Sequence, residues 1–285
     1  MCARSVFRKY IIKFNINWGI VYLHALLLIS CHSNDTAIKG TTASDHATPL
    51  ISYTLVKSFP HDTTSFTEGL FVHEGKLYES TGSPEAMPRT RSVIGIVNMQ
   101  TGVIDAKTEL DRKKYFGEGV VLLKNKIYQL TYKNRKGFIY DAGTFKKLGE
   151  FDFPSMEGWG LTTDGSLLIM SDGSSHLTYL DPGTLKPVKS IVVMDENGPV
   201  KYLNELEYIK GYLYANVYET SQIIKIDPAN GKVLGKLDLY ALVDEARAEY
   251  GASQEMNGIA YDSTNDRVFI TGKMWPNIYQ IRFDH

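Results

Sequence analysis

The sequence predicts an all-β protein, a five-bladed β-propeller with one short inserted helix. A unit of two short strands joined by a turn occurs five times, anchored at positions 69, 119, 160, 206 and 258. The anchors are 50, 41, 46 and 52 residues apart, and four-stranded propeller blades repeat every 40 to 50 residues or so. Between the anchors, Tyr and Val are frequent and Gly, Asn and Asp mark turns, which is typical of strands.

The first 49 residues are predicted to lie outside the propeller. Basic residues precede an apolar run over residues 18–30 that is too short to span a bilayer, which indicates an export signal in residues 1–30. The run ends in Leu28-Ile29-Ser30-Cys31, which resembles a bacterial lipobox. We therefore expect lipidation of Cys31 and anchoring to a bacterial membrane, on its periplasmic or cell-surface side. The alternative is an ordinary signal peptide with an incidental Cys31. Residues 31–49 are small and polar, and we interpret them as a flexible tether.

Residues 50–285 are predicted to form the propeller itself. Residues 51–60 are expected to supply an outer strand that closes the ring. Residues 238–250 predict a helix between the fourth and fifth units, with Asp238 as a candidate N-cap. Residues 83–92 predict a long loop in the first unit. The helix and the loop are both candidates to wall one mouth of the central channel.

Composition and motifs argue against several classes of function. The 31 basic and 32 acidic residues nearly cancel, and no basic cluster indicates nucleic-acid binding. The seven His show no metal-ligand spacing, which argues against a zinc site or a Ser-His-Asp triad. No phosphate-binding glycine motif follows a strand. No metal or cofactor is expected. No disulfide is expected either, because Cys2 would leave with the signal and Cys31 would carry lipid.

The repeat places a set of side chains at one mouth of the channel. Equivalent positions of successive blades face one another around a propeller axis. The residue before each anchor should therefore line this mouth, and the ends of the partner strands should reach it. The first set is Glu68, Glu118, Trp159, Glu205 and Asn257, and the second is Tyr132, Asp172, Tyr218 and Lys273.

Three polar residues near this mouth are candidates for chemistry. Glu118 lies between two glycines and follows Phe116, and an apolar environment raises the pKa of a carboxyl group and suits it to proton transfer. The amide of Asn204 can donate to a carbonyl oxygen, and Lys273 can pair with carboxylates or polarise a carbonyl. Each also has a structural interpretation: a solvated Glu at the start of a strand, a turn Asn and a surface Lys. The nearby aromatic residues could equally pack between blades.

Nine segments, in order along residues 51–283, resemble the glutaminyl-peptide cyclotransferases of the plant and bacterial type. They are FTEGL (66–70), YESTG (78–82), FGEGV (116–120), GWGLTTDG (158–165), MSDGSS (170–175), LNELEYI (203–209), ANVYET (215–220), MNGIAYD (256–262) and VFITGKMWP (268–276). The resemblance implies a five-bladed propeller unrelated to the zinc-dependent animal enzymes. It also implies conversion of the N-terminal glutamine of peptides to pyroglutamate, with release of ammonia and without a metal.

The resemblance further implies the roles of individual residues. The family's essential acid falls on Glu118, and its site Asn and Lys fall on Asn204 and Lys273. The substrate pocket falls on Phe66, Glu68, Phe116, Tyr132, Trp159 and Tyr218. The plant pattern has Trp at the positions of Tyr132 and Tyr218, and Gln at that of Glu68. These departures bear on substrate preference and pH optimum more than on the reaction.

In the expected reaction, the α-amine of a glutaminyl peptide attacks its own γ-carboxamide while Glu118 moves the proton. Asn204 and Lys273 would orient the amide and stabilise the oxyanion. We expect a monomer that acts on peptides or proteins. Two other classes of function stay open: a surface propeller that binds peptides without catalysis, and a metal-dependent lactonase-type propeller. The calcium ligands in the latter would be Glu68, Glu118, Glu205 and Asn257.

Overall fold

The structure, a computed structural model, describes residues 47–285. Within this range, five four-stranded antiparallel sheets are arranged around one axis as a five-bladed β-propeller, which confirms the predicted fold class. The predicted signal of residues 1–30, the lipidation site Cys31 and most of the predicted tether lie outside the described residues.

Each blade runs from an innermost strand to an outermost one. The first blade contains β2 (Phe66–His73), β3 (Lys76–Gly82), β4 (Val93–Val97) and β5 (Ile104–Glu109). The second contains β6 (Gly117–Leu123), β7 (Lys126–Thr131), β8 (Lys136–Asp141) and β9 (Lys147–Asp152). The third contains β10 (Leu161–Thr163), β11 (Leu168–Met170), β12 (His176–Leu180) and β13 (Pro187–Val192), and a small hairpin follows it, β14 (Met194–Asp195) and β15 (Gly198–Pro199). The fourth contains β16 (Leu203–Ile209), β17 (Tyr212–Val217), β18 (Gln222–Ile226) and β19 (Val233–Asp238).

The fifth blade is built from both ends of the described chain. It contains β20 (Met256–Asp262), β21 (Arg267–Gly272), β22 (Asn277–Phe283) and, outermost, β1 (Tyr53–Pro60). The β1 strand pairs antiparallel with β22 along its length. The predicted closing strand in residues 51–60 is thereby confirmed.

The hydrophobic core is divided among the interfaces between blades. Five clusters of buried apolar side chains each lie between two neighbouring blades of the described chain. In the cluster that joins the fifth blade to the first, for example, Leu70 and Leu77 pack with Ala260 and Phe269. Because each inner strand has neighbours on both faces, it is buried almost throughout, as in β16. The inner strands therefore form a rigid ring around the axis.

The inserted helix α1 (Tyr240–Glu249) confirms the helical spacing seen in the sequence, since Leu242, Val243 and Ala246 are buried against the cluster between blades four and five. The predicted N-cap is wrong. Asp238 is the last residue of β19, and Leu239 occupies the N-cap position without a side-chain hydrogen bond. No helix of the described residues is long and apolar enough to cross a membrane.

Candidate active site

One cavity of about 210 Å³ brings together every residue that the sequence resemblance places in the site. The lining residues are Phe66, Glu68, Pro84, Phe116, Glu118, Tyr132, Trp159, Asn204, Tyr218 and Lys273. Apart from Pro84, these residues lie at or next to one of two kinds of position, the beginning of an inner strand and the end of the strand beside it. All of these positions lie at the same end of the propeller. The inserted helix contributes no lining residue, whereas the 83–92 loop contributes Pro84.

β-bulges direct the polar side chains. In four blades the pairing between the inner strand and its neighbour gains one extra residue on the inner strand. These irregularities fall at Glu68, Glu118, Asn204 and Asn257. A bulge leaves its extra residue outside the regular ladder and re-aims the side chain. Successive blades therefore present one polar side chain each at the same level.

The register predicted for the fourth repeat is wrong by one residue. Leu203 pairs with Val217 and Leu206 pairs with Ala215, so the slot equivalent to Glu68 and Glu118 is Asn204 rather than Glu205. The sequence pattern misled because the glycine anchor of the other repeats is replaced by Glu205 in this blade.

Glu205 has a different position from the one expected of it. The equivalent positions of the other blades are glycines, where an added Cβ would lie within 2.1 to 2.8 Å of a neighbouring blade. Glu205 carries a side chain at this level, and its carboxyl oxygens accept hydrogen bonds from the backbone N–H groups of Leu70 (3.2 Å) and Ile259 (2.8 Å). Glu205 thus ties the fourth blade to the first and fifth, and it does not line the cavity.

The polar end of the cavity contains two carboxyl groups and one ammonium group. Lys273 Nζ lies 3.0 Å from Glu68 Oε1, and Asn257 Nδ2 donates to Glu68 Oε2 at 2.9 Å. Glu68 and Glu118 occupy equivalent bulge positions of neighbouring blades, and both line the cavity. Glu68, Glu118 and Lys273 are only 1%, 5% and 6% exposed. Such charges in an apolar surrounding interact far more strongly than they would in water.

Burial controls the protonation of this group. It raises the pKa of Glu68 to about 7, against the lowering effect of Lys273. Burial also raises the pKa of Glu118 well above its usual range, and the negative charge of Glu68 raises it further. For Lys273, burial lowers the pKa, but the Glu68 and Glu118 carboxyls outweigh that effect and the pKa is raised. The ammonium group therefore stays charged, and a proton is readily held by the carboxyls.

Aromatic rings form the rest of the wall. Phe66 and Phe116 meet edge to face with centroids 6.0 Å apart, and Trp159 and Tyr218 do so at 5.5 Å. Lys273 Nζ lies 4.8 Å from the centroid of Phe66 and 5.3 Å from that of Tyr218. Edge-to-face contacts hold such rings in fixed orientations. The cavity therefore has a rigid apolar wall facing a polar end.

Asn204 is available to a ligand. It is 3% exposed, and its Oδ1 has no hydrogen-bond partner among residues 47–285. A buried amide oxygen without a partner is costly, so such atoms call for an explanation. A donor group on a molecule bound in the cavity would satisfy it.

Besides Glu205, three residues differ from the positions that the sequence predicts. Asp172 does not reach the cavity, because its carboxylate accepts hydrogen bonds from Ser174 in a local turn. Asn257 lies behind the cavity and supports Glu68. Pro84 was not singled out, and only the proximity of the 83–92 loop to the mouth hinted at it.

The four calcium ligands considered for a lactonase-type site are not arranged as a cation shell. Glu205 is bound to backbone N–H groups, and Glu68 is paired with Lys273. Within the described part of the chain, no group of three or more His, Cys, Asp or Glu side chains is arranged to hold a metal ion.

Comparison with known proteins identifies the family. A family model described as glutamine cyclotransferase matches residues 23–283. A glutaminyl-peptide cyclotransferase of Arabidopsis thaliana is 38% identical over 230 residues, which cover 80% of this chain and 70% of the relative. The crystal structure of Myxococcus xanthus glutaminyl cyclase is similar with a TM-score of 0.75 at 30% identity, covering 83% of this chain and 98% of the other. The chain belongs to the glutamine cyclotransferase family.

Proposed function

We propose that this protein is a glutaminyl-peptide cyclotransferase, an acyltransferase that converts the N-terminal glutamine of peptides to pyroglutamate and releases ammonia. The observation that carries the proposal is the juxtaposition, in one aromatic cavity, of the buried Glu118 with Asn204 and the Lys273–Glu68 ion pair. Family membership supports the same reaction.

The cavity suits a single glutaminyl residue. Its volume is about 210 Å³, and its lining combines an aromatic wall with one polar end. The aromatic wall would pack against the two side-chain methylenes and exclude water, while the polar end would receive the amine and the carboxamide. Cyclisation requires the side chain to fold back on its own α-amine, so a small rigid cavity lowers the entropic part of the barrier.

The residues can perform the steps that the reaction needs. The α-amine has an ordinary pKa of about 7.7 to 8.0, so part of it is unprotonated near neutral pH. As its nitrogen bonds to the γ-carbon, Glu118 moves a proton from the attacking nitrogen to the leaving nitrogen. Lys273 stabilises the negative charge that develops on the γ-oxygen, and Asn204 orients the carboxamide.

Glu118→Gln tests the central role. The substitution keeps the shape of the side chain but removes proton transfer, so we expect turnover of a Gln-initiated peptide to fall by about 10²-fold or more. Mass spectrometry follows loss of one ammonia, with an Asn-initiated peptide as the substrate control. Glu74→Gln, at an exposed turn, is the matched protein control. Unchanged thermal unfolding would show that the fold is intact, and a fully active Glu118→Gln protein would overturn the assignment.

The same assay addresses metal independence, which we also propose. Ammonia release unaffected by a chelator is the expected result, and loss of activity restored by a divalent cation would contradict it. A folded protein that binds Gln-initiated peptides without releasing ammonia would instead support a non-catalytic binding propeller.

We further propose that the protein is exported and anchored to a bacterial membrane through lipid on Cys31, and that the propeller acts as a monomer. The support for export and anchoring is the sequence of residues 1–31. Labelling of the full chain in a bacterial host with a fatty-acid analogue should be abolished by Cys31→Ser. Retention of the label in that variant would contradict lipidation at this residue. Light scattering of the propeller would reveal any dimer.

A further inference from the structure

We propose that Glu68 is a second proton-transfer residue, paired with Glu118. In this pair Glu118 holds a proton at rest, and Glu68 is the carboxylate that takes the first proton from the substrate's α-ammonium group. The proposal rests on the cyclotransferase function proposed above, and it gives Glu68 a chemical step beyond substrate binding.

The contacts of Glu68 indicate which of the two carboxyls is ionised. Lys273 Nζ lies 3.0 Å from Oε1, and Asn257 Nδ2 donates to Oε2 at 2.9 Å. Both partners are donors, and an ionised carboxylate is the form that accepts from every side. Asn257 is itself fixed, because its Nδ2 also donates to the backbone oxygen of Thr67 at 3.1 Å. The surroundings therefore hold Glu68 as the carboxylate.

The proximity of the two carboxyls favours a shared proton. Glu68 and Glu118 lie at equivalent bulges of neighbouring blades and line one buried cavity, and like charges placed so close together keep one proton between them. Because Glu68 already accepts from Lys273 and Asn257, Glu118 is the member that holds the proton. The other charged groups that act on the pair are Glu157, beside Glu118, and Glu255, beside Glu68. Both are acidic and favour retention of the proton. Lys273 balances the single negative charge that remains.

The proton movements balance over one turnover. Glu68 takes one proton from the α-ammonium group, and the freed lone pair forms the bond from nitrogen to the γ-carbon. The bond from the γ-carbon to the amide nitrogen breaks as Glu118 gives its proton to the leaving group. Glu118 then takes the second proton from the attacking nitrogen. Ammonia leaves with the proton of Glu68 as ammonium, which restores both carboxyls to their resting forms.

The pair has a consequence for the pH profile. The basic limb of kcat/KM reports the loss of a proton from the free enzyme's essential groups. In the wild-type protein this limb corresponds to removal of the single proton of the pair, which the negative charge of Glu68 opposes. In Glu68→Gln that charge is gone, so Glu118 should lose its proton at lower pH. We expect the basic limb to move down by about one pH unit or more and kcat to fall at least about tenfold.

Glu255→Gln is the matched control, because Glu255 is a nearby acidic residue outside the cavity lining. The Glu255 charge acts on Glu68 and only indirectly on the Glu118 proton, so Glu255→Gln should move the basic limb by much less than Glu68→Gln does. An unmoved basic limb in Glu68→Gln would mean that Glu68 only holds Lys273 in place, and would overturn the proposal. An equal shift in Glu255→Gln would also overturn it, because the effect would then be a general one of nearby charge.

A second measurement does not depend on turnover. Infrared spectroscopy of the wild-type protein at neutral pH should show the C=O stretch of a protonated carboxyl that disappears in Glu118→Gln. In Glu68→Gln the same band should be lost at lower pH than in wild type. The proposed pair would be overturned if no such band depended on Glu118, or if Glu68→Gln left the pH at which the band is lost unchanged. Either result stands whether or not the Gln-initiated peptide is a substrate. Absence of ammonia release with these bands present would overturn the proposed function alone.

Discussion

Two glycines leave space for two rings of the aromatic wall, those of Phe116 and Trp159. A Cβ at Gly82 would lie 2.2 Å from the ring of Phe116, and a Cβ at Gly173 would lie 2.7 Å from the ring of Trp159. Neither distance is possible without displacement of the ring. Gly173 also has a φ of +77°, which disfavours other residues, whereas Gly82 lies in regular strand geometry. The two glycines therefore act on the site without touching a substrate.

Gly82→Ala should weaken substrate binding more than it weakens the fold. The added methyl must push the ring of Phe116 toward the cavity, which narrows the space for the glutaminyl methylenes. We expect KM for a Gln-initiated peptide to rise several-fold, on the order of 1 kcal/mol of binding free energy, with kcat changed less. Steady-state kinetics at several peptide concentrations separates the two constants.

Gly149→Ala provides the comparison, because a Cβ at this strand position would meet no atom within 4 Å. It should leave KM and kcat unchanged. A Gly82→Ala protein with wild-type KM would show that Phe116 can move without affecting the substrate, and the aromatic wall would then be less rigid than the edge-to-face contacts indicate.

The sequence grouped the candidate site residues, but it did not show how their side chains pair. The resemblance placed Glu68, Glu118 and Lys273 in one site, and the structure brings them into one cavity. The sequence suggested that Lys273 could pair with carboxylates, but not that its partner would be Glu68, since 205 residues separate the two. Hydrogen bonds over such separations depend on the closed ring and on side-chain direction at each bulge.

At the scale of structural elements, a buried ion pair joins the closing strand to its neighbours. His61 follows β1 directly, and its Nε2 lies 3.0 Å from Glu79 Oε2 of β3. Its Nδ1 donates to the backbone oxygen of Trp275 at 2.9 Å. Both ring nitrogens thus face acceptors, which favours the charged imidazolium. Burial lowers the pKa of His61, but Glu79 raises it by more.

His61→Ala should destabilise the closed ring substantially. The substitution leaves the carboxylate of Glu79 buried without its cation, and removal of one partner of a buried ion pair costs about 3 to 5 kcal/mol. Urea unfolding of the propeller measures the change in the free energy of unfolding.

The double variant His61→Ala/Glu79→Gln separates charge from packing. If the ion pair is responsible, the double variant should be less destabilised than the sum of the two single variants, with a coupling of about 1 kcal/mol or more. Additive losses would mean that the cost of His61→Ala comes from lost packing at the end of β1.

The elements themselves show where sequence periodicity suffices and where it does not. Strand pairs, the closing strand and the helix follow from apolar spacing and turn residues, because these reflect which face is buried. The register of the fourth repeat does not, because Glu205 replaces the glycine that marks it elsewhere. A one-residue change of register moves a strand's side chains to opposite faces, so this error assigned Glu205 to the slot at the cavity that Asn204 occupies.

Across the whole molecule, acidic side chains are buried near the axis at several levels. Glu207 is 9% exposed, its Oε1 accepts a hydrogen bond from the backbone N–H of Tyr261 at 2.7 Å, and burial raises its pKa to about 8. Burial raises the pKa of Glu205 well above its usual range, and the Glu207 charge adds to that. Together with Glu68 and Glu118, these residues give the propeller an interior that binds protons. The apolar patterning of the sequence gives no sign of this property, because it arises only when the inner strands converge.

The stability of the propeller should therefore decrease as pH rises from about 5 to 8.5. A carboxyl whose pKa is raised by folding binds its proton more tightly in the folded state, so its contribution is complete below the unfolded pKa and is lost as pH passes the folded pKa. For Glu207 this interval runs from the ordinary value of 4.5 to about 8, and the raised pKa of Glu118 acts in the same direction. The raised pKa of His61 acts in the same direction.

Urea unfolding between pH 5 and 8.5 checks this expectation and its cause. Each pH unit over which Glu207 is protonated only in the folded state contributes on the order of 1.4 kcal/mol, so we expect a total loss of a few kcal/mol. Glu207→Gln removes this titration and should flatten the dependence, whereas the exposed Glu74→Gln should not. A wild-type free energy of unfolding that rises over this range would contradict the argument. It would mean that Glu207 is ionised in the folded state and that its bond from the Tyr261 N–H compensates for burial.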